Sequence, residues 1–103
     1  MTLVKVCAVD ELTPGEPLRV ELDELDVAIV QVADEFFAIE DVCSHADFPL
    51  SDGGVKGCTI ECDLHGSRFD LRSGKPLGPP ATAPVPTYAV TVTDGNIYIE
   101  LEN

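Results

Sequence analysis

The sequence predicts an all-β domain, built as a small sandwich or barrel. Short stretches that alternate between apolar and polar residues follow one another closely along the 103 residues, as strands do. No stretch of twelve or more residues shows convincing helical periodicity. Asp94-Gly95-Asn96 lies between two alternating stretches and is the strongest hairpin signal in the chain. Short strands at this spacing are typical of small β-sandwiches and barrels.

The first half of the chain contains four predicted strands, at residues 3–6, 18–22, 27–32 and 36–39. A Pro14-Gly15 turn separates the first strand from the second. The third stretch is rich in β-branched residues, Ala33-Asp34-Glu35 can turn, and the fourth stretch returns as its hairpin partner.

The second half alternates predicted loops with strands. Residues 46–54 form a loop by their Pro, Gly and Asp content, and residues 55–61 and 66–70 are predicted strands. Residues 72–80 contain three prolines and two glycines, so they are predicted to lack regular structure and to pack as a third loop beside the site described next. Residues 87–93 and 97–101 form the closing hairpin.

Two Cys/His pairs are the candidate functional residues. Cys43 and His45 form the first pair, Cys62 and His65 form the second, and sixteen residues separate the two pairs. One such residue alone would be uninformative, because buried Cys and His are common in cores. Two thiolates with two imidazoles form a metal-ligand set. A structural zinc site uses the same four ligands, although its two Cys usually lie together and the two His follow.

The order C-x-H followed by C-x-x-H resembles the ligand box of Rieske [2Fe-2S] proteins. The resemblance implies one [2Fe-2S] cluster per chain, with Cys43 and Cys62 on the buried iron and His45 and His65 on the outer iron. It covers nearly the whole chain, since the strand order and the Gly-Pro-Pro-Ala stretch at 78–81 resemble the soluble ferredoxins of bacterial aromatic-ring dioxygenase systems. The fold implied is a Rieske-like β-sandwich or barrel with a cluster-binding subdomain of two ligand loops.

The implied function is that of a soluble one-electron carrier, not an enzyme, between a ferredoxin reductase and a terminal oxygenase. The sequence itself is consistent with an electron carrier. It has no G-x-G-x-x-G fingerprint for a flavin or nicotinamide cofactor, and its only two His are already assigned as ligands, which leaves none for a catalytic iron site. Two alternatives stay open. One is a small redox subunit of another oxidoreductase, such as a nitrite reductase or an arsenite oxidase, and the other is a zinc-stabilised interaction module.

Length and charge limit the remaining possibilities. We expect a single domain over residues 1–103, with a cluster-binding part at about 41–80. The net charge of −13 makes nucleic acid and anionic membranes poor partners and predicts basic docking patches on the reductase and oxygenase. With neither a leader-like start nor eighteen apolar residues in a row, the sequence predicts a cytoplasmic protein. Cys7 and Cys58 are expected as core thiols rather than as a mutual disulfide.

Departures from the quinol-oxidising branch of the family predict a low reduction potential. The positions of that branch's bracing disulfide are matched by Phe48 or its neighbours and by Leu64, so no bracing disulfide is expected. Phe69 replaces a Tyr that donates to a ligand sulfur, although a Ser donor is matched by Ser67. A missing donor disfavours the added electron, and so do carboxylates beside the ligands at positions 47 and 63.

Overall fold

The computed structural model describes residues 2–22, 25–42, 49–62, 67–77 and 83–101. Within these residues the chain forms ten strands and two 3₁₀ turns, and contains no α-helix: β1 (Thr2–Ala8), β2 (Leu18–Glu21), β3 (Asp26–Val32), β4 (Glu35–Glu40), β5 (Val55–Lys56), β6 (Thr59–Glu61), β7 (Arg68–Asp70), β8 (Thr87–Tyr88), β9 (Val90–Thr93), β10 (Asn96–Leu101), and 3₁₀ turns at Val9–Glu11 and Leu50–Asp52. The all-β prediction is therefore confirmed. In these ranges there is also no helix long and apolar enough to cross a membrane.

The strands form three antiparallel sheets. The base sheet has the order β1-β10-β9, the central sheet β2-β3-β4-β8, and the loop sheet β5-β6-β7. The central and loop sheets begin with hairpins between neighbouring strands, whereas β1 pairs with β10 from the other end of the chain. That last pairing closes the base sheet around the two ends of the described chain.

Strand β3 explains why the central sheet lies between two cores. Val27 and Ile29 point into one core, Ala28 and Val30 into the other, and all four are fully buried. Because side chains alternate across a strand, a continuous apolar run is what a strand buried on both faces requires. The β-branched run seen in the sequence therefore marks the middle layer of the domain.

The two cores are built from different parts of the chain. The base core joins the base and central sheets, and its buried residues are Cys7, Leu12, Val27, Ile29, Ala38, Ile97 and Ile99. The loop core joins the central sheet to the loop sheet, and its buried residues are Ala28, Val30, Ile39, Leu50, Ile60, Cys62, Phe69, Leu71 and Val85. The loop core thus includes one of the four predicted ligands, Cys62.

Two strand predictions need correction. Residues 55–61 are not one strand but the hairpin β5–β6, because Gly57 adopts a φ of +59° that lets the chain reverse. Residues 87–93 are likewise not one strand. They divide at Ala89 into β8, which pairs with β4, and β9, which pairs with β10, so the stretch changes sheets.

The two predicted hairpin turns are confirmed. Asp94 and Gly95 both have positive φ, at +52° and +76°, which suits a two-residue connection between β9 and β10. The β3–β4 hairpin turns at Ala33, which takes a φ of +54° although alanine disfavours that region. The stretch 72–80, expected to lack regular structure, makes a single described bridge between Pro76 and Phe69.

The spare cysteines are free thiols in separate places. Among the described cysteines Cys7, Cys58 and Cys62 there is no disulfide. Cys7 is buried in the base core, whereas Cys58 is partly buried against the loop core. Burial, followed by the negative charge of Glu11, raises the pKa of the Cys7 thiol to about 11, so this thiol stays protonated at neutral pH. Cys7 is therefore an inert core residue, as expected.

Candidate metal centre

Cys62 is the predicted ligand whose surroundings the structure describes. It follows β6 directly, is fully buried, and packs in the loop core with residues that include Phe69, Leu71 and Val85. A thiol in such a place is shielded from water on its protein side. The sequence places it there because Ile60, two residues earlier, points into the same core from β6. Sulfur in a dry setting suits the inner, thiolate-held side of a metal centre.

The second Cys/His pair spans a short connection between β6 and β7. The last ladder pair of these strands joins Glu61 to Arg68, and beyond it the amide of Cys62 donates to the carbonyl oxygen of Ser67 at 2.6 Å. Segment 63–66, which includes His65, lies outside the described residues. Its two ends are thus fixed one hydrogen bond apart, and Ser67 is itself buried.

The first Cys/His pair lies in segment 43–48, which is also outside the described residues. Before it, β4 ends at Glu40 and Asp41 follows; after it comes the 3₁₀ turn Leu50–Asp52. The buried carboxylate of Asp41 accepts hydrogen bonds from the amide and the hydroxyl of Ser51, at 2.7 and 2.6 Å. Leu50 is fully buried in the loop core. Both ends of this segment are therefore anchored by described side chains.

A third segment, 78–82, begins and ends beside the same hairpin. The amide of Leu77 donates to the carbonyl of Arg68 at 2.8 Å, and the amide of Val85 donates to the carbonyl of Gly74 at 2.9 Å. Gly74 has a φ of +75°, and a Cβ there would overlap the carbonyl oxygen of Val85. Only glycine allows this approach.

Each of the three segments has at least one flanking residue near the same end of the loop sheet. The amide of Glu61 donates to the carbonyl of Gly54 at 2.8 Å, so the chain returning from the first segment runs beside the last residue of β6. Cys62, next along the chain, directly precedes segment 63–66, and the start of the third segment is held through Arg68, the first residue of β7. Because β6 and β7 are antiparallel, the end of one lies beside the start of the other. The chain that follows the first segment therefore lies beside the residue that leads into the second Cys/His pair.

An ion pair joins the loop sheet to the central sheet. Arg72, just after β7, donates to both carboxylate oxygens of Glu35 at 2.7 and 2.8 Å, and its guanidinium lies 5.2 Å from the ring centre of Phe37. The hydrogen bond from Arg72 holds the pKa of the Glu35 carboxyl below its usual range. The pair is exposed, so its effect on stability is small, but its two-pronged geometry fixes the turn after β7.

Of the four predicted ligands, only Cys62 belongs to the described residues. Cys43, His45 and His65 lie outside them, and within them no three potential metal ligands come together. Asp47, Asp63, Phe48, Leu64 and Pro79 are also outside, so the predictions that rest on them stay predictions. For Phe69, the structure shows a fully buried side chain that pairs across the ladder with Ile60.

Two anchoring residues were missed by the sequence analysis. Asp41 belongs to a strongly acidic stretch, where a carboxylate is normally read as surface charge, yet it is buried. Its position directly after an apolar strand and two residues before Cys43 was the available signal. Gly74 was counted only as a loop glycine, and its close contact with Val85 depends on a pairing that local sequence does not contain.

The donor set fits an iron-sulfur cluster. Cys62 supplies a buried, unbridged thiol, and its own amide is already used by Ser67 to close the connection. Two thiolates and two imidazoles, as the sequence predicts them, are the ligands that a [2Fe-2S] centre of this type requires. The same donors would also serve zinc, so the fit alone does not choose between the metals.

Comparisons with known proteins favour an iron-sulfur cluster over zinc. The family model for the Rieske [2Fe-2S] domain matches residues 2–89. The chain is 46% identical over 100 residues to the 3-phenylpropionate/cinnamic acid dioxygenase ferredoxin subunit of Photorhabdus laumondii, covering 96% of this chain and 94% of the relative.

Solved structures agree with this similarity. The ferredoxin of carbazole 1,9a-dioxygenase from Nocardioides aromaticivorans matches with a TM-score of 0.93 at 36% identity, covering 99% of this chain and 100% of the other. A chain from a complex of reduced oxygenase and oxidised ferredoxin in carbazole 1,9a-dioxygenase matches at 0.90 and 36%, covering 97% of each chain. A putative nitrite reductase small subunit from Mycobacterium tuberculosis matches less well, at 0.83 and 27%, covering 95% and 93%.

Proposed function

The chain belongs to the Rieske [2Fe-2S] domain family, and we propose that it is the ferredoxin component of an aromatic-ring dioxygenase system. The observation that carries the proposal is its similarity, over nearly its whole length, to proteins named as ferredoxin subunits of such systems. These relatives are electron-transfer components rather than catalytic subunits. The protein takes one electron from a ferredoxin reductase and delivers it to a terminal oxygenase.

Four residues hold the cluster in this proposal. Cys43 and Cys62 bind one iron through sulfur, and His45 and His65 bind the other through nitrogen, in the order of the family's ligand box. Burial of Cys62 in the loop core supports the placing of the thiolate-held iron toward the protein interior. The bound cluster supplies reversible uptake and release of a single electron. The protein's own part is to hold the ligands and to limit access of water.

Domain extent and location form part of the same proposal. Residues 1–103 act as a single domain, with the cluster-binding part at about 41–80, and the protein works in solution in the cytoplasm. Support for this division comes from the loop core, which contains Leu50, Ile60 and Phe69 from that part of the chain. The central sheet joins the two parts, because β3 packs into both cores.

The oxygenase is the proposed electron acceptor because a similar chain has been seen bound to one. The matched complex contains a reduced oxygenase and an oxidised ferredoxin of carbazole 1,9a-dioxygenase. A nitrite reductase small subunit is the weaker candidate, since the identity to such a subunit is 27% against 36% for the carbazole dioxygenase ferredoxin. The four intact ligands also disfavour it, because many small subunits of that kind resemble the fold without them.

Electron transfer to a partner tests the proposal directly. The purified protein is reduced with a ring-dioxygenase ferredoxin reductase and NADH, and then mixed with an oxidised terminal oxygenase in a stopped-flow instrument. We expect rapid reoxidation of the ferredoxin with matching reduction of the oxygenase. Cys62→Ser serves as the control that removes a ligand while leaving the charge of the surface unchanged. Reduction by the reductase without any transfer to an oxygenase would contradict the assigned partner.

A further inference from the structure

Asp41 is a buried carboxylate that the electron-carrier function does not by itself explain. The residue is 5% exposed, and its side chain is fully buried. Every buried side-chain nitrogen or oxygen in the described ranges has a hydrogen-bond partner, and Asp41 has several. One oxygen accepts from the amide of Ser51, and the other accepts from the Ser51 hydroxyl and, at 3.2 Å, from Nη1 of Arg19. Its own amide donates to the carbonyl of Asp26 at 2.8 Å.

These contacts join three separate elements around the two ends of segment 43–48. Asp41 follows β4, Ser51 lies in the 3₁₀ turn after the segment, and Arg19 comes from β2. Arg19 is itself held by Asp26 of β3, whose carboxylate accepts from Nη2 at 2.6 Å. The positions of both ends of the segment are thus defined by one carboxylate, which is braced from the central sheet.

Stability alone does not explain such a group. Burying a carboxylate carries a large desolvation cost, and a buried ion pair can often be replaced by apolar residues without loss of stability. What a fully satisfied buried network provides is a single geometry, since each oxygen of Asp41 has a defined donor. The segment fixed here contains Cys43 and His45, and ligand geometry depends on the residues that support it.

We propose that Asp41, held by Ser51 and Arg19, is a positioning residue that fixes the separation of the two ends of segment 43–48 and thereby governs cluster retention and potential. The proposal rests on the function proposed above, because it requires Cys43 and His45 to be ligands. Asp41 contacts neither iron nor sulfide in this account. It acts through the backbone on either side of the segment.

Asp41→Asn is the principal test, because the amide keeps the shape of the carboxylate but can satisfy fewer donors. The amide group must face either the Ser51 N–H or the Arg19 guanidinium, so at least one contact is lost. Ser51→Ala removes only the hydroxyl contact and provides a second, milder variant. Ser51→Thr keeps both the hydroxyl and the amide and should restore wild-type behaviour.

Matched controls separate positioning from charge and from stability. Glu35→Gln makes the same carboxylate-to-amide change in an arginine ion pair at the other end of β4, about 20 Å away along the strand. Ile99→Val removes one buried methylene from the base core and leaves the loop core intact. Neither change touches the ends of segment 43–48.

Three readouts are measured on the purified proteins: hydrogen exchange of the peptide spanning residues 49–54, the half-life of iron release to a chelator, and the reduction potential. Asp41→Asn should exchange at Ser51 about tenfold faster or more, because the Ser51 N–H loses a charged acceptor in either orientation of the amide and loses its acceptor altogether in one of them. Iron release should be about fivefold faster or more, and the redox equilibrium constant should change about threefold or more. In all three readouts Ser51→Ala should give values between those of Asp41→Asn and the wild type. Glu35→Gln and Ile99→Val should give wild-type values.

Two results overturn parts of the account in different ways. Wild-type exchange and iron release in both Asp41→Asn and Ser51→Ala would overturn the positioning role, even if the wild type is a competent electron carrier. A wild-type protein that purifies without iron or sulfide would instead overturn the proposed function. In that second case the exchange of Ser51 would still show whether Asp41 fixes the two ends.

Discussion

Gly74→Ala should destabilise the protein far more than an ordinary glycine substitution. Gly74 adopts a φ of +75°, a region that disfavours a residue with a Cβ by about 1–2 kcal/mol. The new methyl group would also overlap the carbonyl oxygen of Val85 and approach Cγ2 of Thr87 at 3.1 Å. Moving Val85 away breaks its hydrogen bond to Gly74, which adds about 1 kcal/mol, and residual overpacking adds about 1 kcal/mol or more. Together these effects should lower the free energy of unfolding by about 3–4 kcal/mol.

Gly95→Ala is the matched control for the backbone term. Gly95 has nearly the same φ, +76°, but a Cβ there would meet nothing within 4 Å. Gly95→Ala should therefore lower the free energy of unfolding only by the conformational cost of a positive φ, about 1–2 kcal/mol. The difference between the two variants isolates the close contact between Gly74 and Val85.

Thermal unfolding, followed by far-UV circular dichroism, measures that difference. For a domain of this size, 1 kcal/mol corresponds to a shift of about 4 °C in Tm, so Gly95→Ala should lose about 4–8 °C and Gly74→Ala about 12–16 °C. All variants are heated at one rate, because metal loss can make the unfolding irreversible. Midpoints of the two variants within about 3 °C of each other would refute the described packing of the third segment's ends.

Three further predictions concern the cluster and its partners. Cys43→Ser and Cys62→Ser should abolish cluster assembly, because a hydroxyl is a poor substitute for thiolate; iron and sulfide analysis measures this. The wild-type potential should lie toward the bottom of the family's range of about −150 to +300 mV, and Phe69→Tyr should raise it by adding a donor, as protein-film voltammetry can show. The rate of reduction by the reductase should fall as salt rises, and neutralising Asp47 or Asp63 should slow it at low salt, as stopped-flow measures.

Each of these predictions has an outcome that contradicts it. A Cys62→Ser protein with full iron and sulfide content would remove that residue from the ligand set, and Cys58→Ala, in which cluster content should not change, is the matched control. A wild-type potential above about +200 mV would mean that other effects outweigh the missing hydrogen-bond donor. A reduction rate independent of ionic strength would point to an apolar contact, with Phe48, Pro49 and Pro79 as its expected anchors.

The sequence predicts the layers of the fold because burial is encoded in local patterns. The apolar run in β3 identifies a strand with two buried faces, and Asp94-Gly95 identifies a hairpin by its backbone preference. Where one alternating stretch forms two strands, the local pattern does not show where the first strand ends and the second begins. Nothing in residues 55–61 except Gly57 indicates the reversal, and the change of sheet at Ala89 depends on pairing with β4 and β10.

The sequence predicts a set of ligands for the site but not the residues that support it. Cys/His spacing is a local signal for metal binding, whereas Cys43, His45 and His65 lie outside the described residues and their roles stay predictions. Asp41 was missed because its burial arises from contacts with Ser51, ten residues later, and Arg19, twenty-two residues earlier. Exposed carboxylates such as Asp34 have the same residue type as Asp41, so composition cannot distinguish the buried one.

Metal and electron stoichiometry of the purified protein tests the central claim most directly. Elemental and sulfide analysis, combined with a coulometric titration of the same sample, counts irons, sulfides and electrons per chain. We expect about two irons, about two sulfides and uptake of about one electron per chain. A protein that contains about one zinc per chain, with no sulfide and no electron uptake, would contradict the electron-carrier function and favour the zinc-stabilised module.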